Sequence, residues 1–410
     1  MAVESTCRSC GSNRCELVLD LGNQPLANNF LRAQDLEKEE PRFPLRVVVC
    51  TACWLMQITE TIPSVDLFQQ YLYFSSYSDA MLEHARRAAE RYASEFSLGA
   101  DNLVVEVASN DGYLLQNFAR LNVPCLGIDP AENVAAVAQE KGVETIVGFF
   151  GESMARQLAT ERRKADVILG NNVFAHAPAI NDFVAGLQAL LAARGRVILE
   201  FPYAVDMVEG NEFDTVYHEH IFYFSLTALK PVFERHGLEI FHVERLPIHG
   251  GSLRLFAGHR GEFAIENSVE MLSLEESAKG VGEIEFYHDV SRAAHHVKTS
   301  LARLLGGLKK MGKSVAGYGA SAKGSTLLNF VQPDPGTLDF IADRSPHKRD
   351  TFTPGLHVPV VGPEALLERR PDYTLLLTWN FAAEILQQQQ AYRAAGGKFI
   401  IPVPHLKVVE

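Results

Sequence analysis

Tyr217-His218-Glu219-His220 puts a phenol, two imidazoles and a carboxylate into four consecutive positions, ahead of the aromatic run Ile221-Phe222-Tyr223-Phe224. Groups of this kind move protons. Imidazole titrates near neutrality, so it can take a proton from a carbon acid and release it again. In an extended segment alternate residues share a face, which would set His218 and His220 on one side and Tyr217 and Glu219 on the other. Only half the tetrad then serves one cavity, unless the chain bends.

A second group of reactive residues lies near the N-terminus, as two matched pairs, Cys7-Arg8-Ser9-Cys10 and Cys50-Thr51-Ala52-Cys53. Two residues between thiolates let both sulfurs of a pair reach one ion, and two such turns complete the tetrahedral shell of zinc. Four protein ligands leave no open position, so a zinc on Cys7, Cys10, Cys50 and Cys53 is structural. Reduced, unmetallated thiols or a redox pair are the competing reading. Cys15 is left over, and Cys125 falls in a predicted strand.

The chain that positions these groups has 410 residues, 47% of them hydrophobic and 21% charged, enough for several globular units. Net charge is −12 with no Lys/Arg-rich block, which argues against nucleic acid as a partner and leaves a small phosphorylated ligand open. No apolar run reaches the roughly 18 residues needed to span a bilayer, and residues 1–30 carry no signal pattern. A cytoplasmic monomer without a membrane partner is the expectation.

Residues 66–98 open with the aromatic, hydroxyl-rich stretch 71–77, including Tyr73 and Tyr77, and continue into a predicted amphipathic helix. From Leu103 short apolar strands alternate with helices, the signature of a parallel α/β sheet. The first predicted strand, Leu103–Val107, runs into Ala108-Ser109-Asn110-Asp111-Gly112 before a helix, a small-residue turn that lets a ligand approach the backbone. The second ends in Asp129, placed to accept ribose hydroxyls. The third is followed by Phe149 and Phe150, placed to sandwich a purine, and the fourth ends in Asn171-Asn172 with His176 beyond. Leu238–Val243 and Leu253–Phe256 supply the last two strands, joined through a glycine turn, Pro247 to Ser252, and residues 268–308 read as helices. A smaller α/β unit follows. Its first strand ends at Tyr318 and enters Gly319-Ala320-Ser321-Ala322-Lys323-Gly324, where backbone donors, hydroxyls and one cation suit a phosphate.

Glu106 in the first strand, Asp129 and the aromatic pair together resemble a class I S-adenosylmethionine methyltransferase, although Ala108 and Asn110 stand where a dinucleotide fingerprint has glycines. Nicotinamide binding is the alternative there. With the cysteine pairs, the tetrad and the Gly317–Gly324 stretch, essentially the whole chain resembles the bacterial nucleotide-sugar C-methyltransferases, and most of all those that methylate C-3 of dTDP-linked 4-keto sugars in antibiotic deoxysugar pathways.

The resemblance implies an α/β protein in four parts: a zinc-binding domain (1–72), a Rossmann-like methyltransferase domain (73–260), connecting helices (261–312) and a smaller Rossmann-like nucleotide-sugar domain (313–410). It implies His220 as base with Tyr217, Glu219 and His176 beside it. Cofactor contacts are expected from Glu106, Ala108, Asn110, Gly112, Asp129, Phe149, Phe150 and Asn171, and substrate contacts from Tyr73, Tyr77, Tyr318, Ser321 and Lys323. The chemistry fits independently, because a carbon beside a ketone yields its proton only if pre-placed donors stabilise the enolate oxygen. C-5 methylation, or O- or N-methylation of another small molecule, are the alternatives.

Overall fold

The computed structural model describes residues 5–64, 67, 74–248 and 250–410. Its N-terminal part is an antiparallel sheet of β1 (Cys15–Pro25), β2 (Arg42–Cys50) and β3 (Met56–Ile58). A fourth strand, β9 (Phe222–Tyr223), comes from just beyond the tetrad and pairs Met56 with Tyr223 and Gln57 with Phe222. Val47, Val48 and Val49 of β2 are fully buried, so the small sheet is covered on both faces.

The central sheet contains β4 (Val104–Val107), β5 (Cys125–Asp129), β6 (Thr145–Val147), β7 (Ala165–Asn171), β8 (Leu191–Pro202), β10 (Leu238–Leu246) and β11 (Ser252–His259). Their order across the sheet is β10-β11-β8-β7-β4-β5-β6, parallel except for β11, which runs antiparallel between β8 and β10. Strands covered on both faces carry near-continuous apolar runs, which is why these were readable in the sequence. Strand order reverses between β4 and β7, and the crevice outside the carboxyl ends at such a point is where open α/β sheets bind ligands.

The helix Asp79–Glu95 is capped by Ser78, whose side chain accepts from the Met81 N–H, and it buries Met81, Ala85, Ala88, Ala89 and Tyr92. Helices Asn267–Ala278 and Glu285–Lys310 lead to the last unit; the longer buries Val290, Ala294, Val297, Leu301, Leu305 and Leu308 at three- and four-residue spacing.

The third sheet is β12 (Val315–Tyr318), β13 (Ile341–Ala342), β14 (Val360–Val361), β15 (Tyr373–Leu376), β16 (Lys398–Ile401) and β17 (Lys407–Val409), ordered β14-β13-β12-β15-β16-β17 with only β17 antiparallel. Its five parallel strands repeat the 3-2-1-4-5 order of the first five central strands. Sequence periodicity did not show β14, β17 or the N-terminal sheet. Among the described residues no helix is long and apolar enough to cross a membrane.

Candidate active site

A cavity of about 680 Å³ lies where the turns after β4 and β12 and the tetrad meet. The tetrad is not extended. His220 N–H donates to the Tyr217 carbonyl at 2.9 Å, closing a turn that brings its first and fourth residues together. Tyr217 Oη lies 2.6 Å from His220 Nε2, with ring centroids 4.0 Å apart. His220 Nδ1 lies 2.9 Å from the Thr215 carbonyl, which can only accept, so Nδ1 carries the hydrogen and Nε2 takes the phenol's. His176, in the short turn Phe174–His176 after β7, sets its ring edge-on to His220 at 4.9 Å. Burial pushes its pKa down to about 4, so it is a neutral imidazole at neutral pH. All three border the cavity.

The two middle residues turn away, which corrects the pairing of His218 with His220. His218 is buried against Phe43, with Nε2 3.2 Å from the Pro44 carbonyl of β2. Glu219 does not border the cavity but backs it. Its Oε1 accepts from Asn28 Nδ2 at 2.6 Å, and Asn28 does border it, while Oε2 has no hydrogen-bond partner among the described residues. Burial pushes the Glu219 carboxyl up to about 7, with Asn28 and Lys348 pulling it back.

On the opposite wall, Ala108, Asn110 and Gly112 all have left-handed backbone, at φ of +55°, +50° and +74°. The turn therefore keeps the conformation of a glycine fingerprint with other side chains in it. Asparagine visits this region readily, whereas alanine costs about 1–2 kcal/mol there. Asp129 holds the strained turn: one carboxylate oxygen accepts from Asn110 N–H at 2.8 Å and the other from Ala131 N–H at 2.9 Å. Each oxygen retains lone-pair capacity toward the cavity, which Asp129 borders. Asn110 Oδ1 in turn accepts from the Ser75 N–H.

Phe149 is half exposed along the cavity wall, Phe150 packs edge-on against Phe183, and Asn171 stands at the end of β7; all three border the space. Glu106 and Gly112 do not. A Cβ on Gly112 would meet side-chain atoms of Ala138 and Val143 at 3.2 Å, so its smallness serves packing of the turn against the helix Glu132–Glu140 and the loop beyond it. Glu106 is buried below the turn, its carboxyl pushed well up by burial and by Asp129 and Asp111.

The third wall repeats this bonding. Asp343, after β13, accepts from Ala320 N–H at 2.6 Å and Ser345 N–H at 2.7 Å, as Asp129 does from its own turn. Ser321 caps the helix Ala322–Val331, its hydroxyl accepting from Gly324 N–H, and Tyr318 ends β12; both border the cavity. Lys323 borders it too, but its ammonium lies 3.8 Å from Glu212 and 4.9 Å above the Trp379 ring, whose N–H donates to Asp214. Burial raises Glu212 to about 7 and Asp214 to about 6, and Lys323 pulls both back. Tyr77 is half exposed and its hydroxyl lies 3.0 Å from His347 Nε2 across the gap between units. Tyr73, and His249 of the glycine turn after β10, lie outside the described residues. Asn28 and Lys348 also line the cavity, and neither sits in a motif that sequence spacing would reveal.

Away from the cavity, the sulfurs of Cys7, Cys10, Cys50 and Cys53 lie within 4.8 Å of one another, with Cys7–Cys53 and Cys10–Cys50 at 3.6 Å. Zinc–sulfur bonds of about 2.3 Å place tetrahedral sulfurs about 3.8 Å apart, so the four thiols fit one ion. Each pair closes a tight turn, Gly11 N–H to the Cys7 carbonyl and Trp54 N–H to the Cys50 carbonyl. Cys15 and Cys125 are partly buried and stand outside the cluster.

A sheet with β11 reversed between β8 and β10, a left-handed turn after its first strand and an acid at the tip of its second frames the cavity, and the match of this part to a methyltransferase domain makes the protein an S-adenosylmethionine-dependent methyltransferase. Family models agree, with residues 81–243 matching a methyltransferase domain, 7–68 a zinc binding domain and 247–404 a C-methyltransferase C-terminal domain. The chain belongs to the C-methyltransferase family: it is 36% identical over 404 residues to the C-methyltransferase NovU of Streptomyces niveus, covering 98% of this chain and 96% of that one. Its cofactor is S-adenosylmethionine, and its N-terminal part is a zinc-binding domain in which the four cysteines are gathered as one potential metal site.

Among solved structures, an S-adenosylmethionine-dependent methyltransferase of Anabaena variabilis aligns at TM-score 0.36 and 15% identity, over 43% of this chain and 84% of its own. Magnesium protoporphyrin IX methyltransferase of Synechocystis, with bound S-adenosylhomocysteine, aligns at TM-score 0.35 and 15% identity, over 43% and 82%.

Proposed function

We propose that this enzyme methylates the carbon alpha to the ketone, at C-3, of a dTDP-linked 4-keto deoxysugar through an enolate. The observation that carries the reading is the Tyr217–His220 pair, which borders the same cavity as the acid-tipped turn at Asp129 and a second acid-tipped turn at Asp343. One turn suits the cofactor, the other a nucleoside diphosphate, and the base stands between them. The division into 1–72, 73–260, 261–312 and 313–410 follows from assigning one role to each part. Every residue invoked comes from one chain, so a monomer suffices.

S-adenosylmethionine supplies an electrophilic methyl group. A ketone entering beside Tyr217 takes over the phenol's hydrogen bond, which frees the Nε2 lone pair of His220 for the α hydrogen. The C–H bond breaks, an N–H bond forms on His220, and negative charge grows on an oxygen that Tyr217 meets as a donor. Neutral His176 beside the ring adds a dipole rather than a repelling charge. Thr215 fixes the imidazole through Nδ1, so the basic nitrogen keeps its aim. The carbon then takes the methyl group as its bond to sulfur breaks, and the proton leaves from His220.

The test is incubation with methyl-labelled cofactor and a panel of 4-keto deoxysugar nucleotides, followed by NMR of the product. Label on C-3 is expected. Label on oxygen, nitrogen or C-5 replaces this reading with the corresponding alternative.

A further inference from the structure

Three cations of the C-terminal unit border the cavity among the described residues: Lys323, Arg344 and Lys348. Their surroundings differ. Lys323 faces Glu212 at 3.8 Å with Asp214 behind, and Arg344 is shared between Asp79 at 3.9 Å and Glu384 at 3.7 Å. Lys348 has no carboxylate oxygen within 4.0 Å among the described residues. Its ammonium donates to the Ala320 carbonyl at 2.6 Å and lies 5.0 Å from the centre of the Phe30 ring. Burial lowers its pKa, and only the fields of Asp343 and Glu219 raise it. Lys348 is half-buried, and a partly desolvated cation without a contacting anion carries a cost that an anionic ligand offsets.

Its location narrows the ligand. Ala320 belongs to the turn capped by Ser321, so Lys348 stands over the backbone that begins the helix Ala322–Val331. On its other side are Phe30 from the N-terminal unit and the field of Glu219, next in the chain to His220. Lys348 therefore stands at the junction between the helix start and the catalytic turn. We propose that Lys348, and not Lys323, supplies the principal cation for the diphosphate of the substrate, at its sugar end. This rests on the nucleotide-sugar reading above. Lys323 instead neutralises the buried Glu212–Asp214 pair and holds the wall. An ammonium suits this role because it is a point charge with three donors, of which one is already spent on Ala320.

The experiment is calorimetric titration of the zinc-loaded protein with dTDP, and separately with S-adenosylhomocysteine, for wild type, Lys348→Met, Lys348→Arg and Lys323→Met. Methionine keeps much of the apolar stem over Phe30, and unchanged S-adenosylhomocysteine affinity shows that the fold is intact. Lys348→Met should weaken dTDP binding by about 10- to 100-fold. Lys348→Arg should recover most of it, and Lys323→Met should change it less than about threefold. A larger loss from Lys323→Met, or dTDP affinity unmoved by Lys348→Met, overturns the assignment while leaving the nucleotide-sugar reading in place. If wild type binds S-adenosylhomocysteine but not dTDP, that reading itself has failed, and the role of Lys348 falls with it.

Discussion

Replacing His220 by asparagine tests the base directly. Asparagine keeps a polar side chain but has no usable basicity near pH 7. The structural loss follows from what the ring touches: hydrogen bonds to the Thr215 carbonyl and with the Tyr217 hydroxyl, and ring contacts to Tyr217 at 4.0 Å and His176 at 4.9 Å. A hydrogen bond is worth about 1 kcal/mol net and a ring pair about 0.5–1.5 kcal/mol, so two of each put the variant's loss of stability at about 3–5 kcal/mol. General-base catalysis is worth about 10²- to 10⁴-fold, or about 3–5 kcal/mol on the barrier. Assayed well below its melting temperature, His220→Asn should bind S-adenosylhomocysteine as wild type does and methylate 10²- to 10⁴-fold more slowly. His218→Asn should lose stability but keep its turnover, since that ring packs on β2. Near-wild-type turnover by His220→Asn together with an inactive His218→Asn would refute the assignment.

Further outcomes are expected at the other sites. Elemental analysis should find about one zinc per chain, and chelation should remove activity along with stability, because β3 pairs with β9 directly beyond His220; a folded, fully active metal-free protein contradicts this. Asp129→Ala removes the acceptor that holds Asn110 and Ala131, and should weaken S-adenosylhomocysteine binding by about 1.5–3 kcal/mol in calorimetry; unchanged affinity moves the cofactor elsewhere. Glu219 titrates at about 7 when folded against 4.5 ordinarily, so between those values the folded state holds a proton that the unfolded chain has released. This group's contribution is full below about pH 4.5 and falls as pH rises through 7. Glu219→Gln should therefore be more stable than wild type by on the order of 3 kcal/mol at pH 8 and by little at pH 5. Melting curves across that range check it, and a constant difference would mean a carboxylate charged throughout.

Sequence and structure agree best where burial alone dictates residue type. Strands β4, β5 and β7 are apolar because both faces are covered, and their tips carry Asp129 and Asn171 where the crevice opens. Conformation was less legible than composition. Ala108 and Asn110 look like departures from a glycine turn, yet the backbone keeps left-handed φ, with Asp129 accepting from the Asn110 N–H and the Ser75 N–H donating to the Asn110 side chain. The tetrad bends through one hydrogen bond, from His220 N–H to the Tyr217 carbonyl, that no side-chain pattern encodes. The bend sends Glu219 behind the wall. Asn28 and Lys348 reach the cavity from loops of the outer units, and only the assembled fold puts them there.

Strand β9 also sets an order of events during synthesis. The zinc cysteines all lie in the first 53 residues, so the metal can be captured while most of the chain is still unmade. The sheet beside it cannot be finished then, since Gln57 waits for Phe222. At about 5–20 residues per second, the edge of β3 stays unpaired for on the order of 10 s. An apolar edge open for that long invites pairing with another chain. The closed metal shell fixes β2 and its knuckle throughout this interval, so zinc guards a half-built sheet until the segment that carries the catalytic turn arrives to complete it.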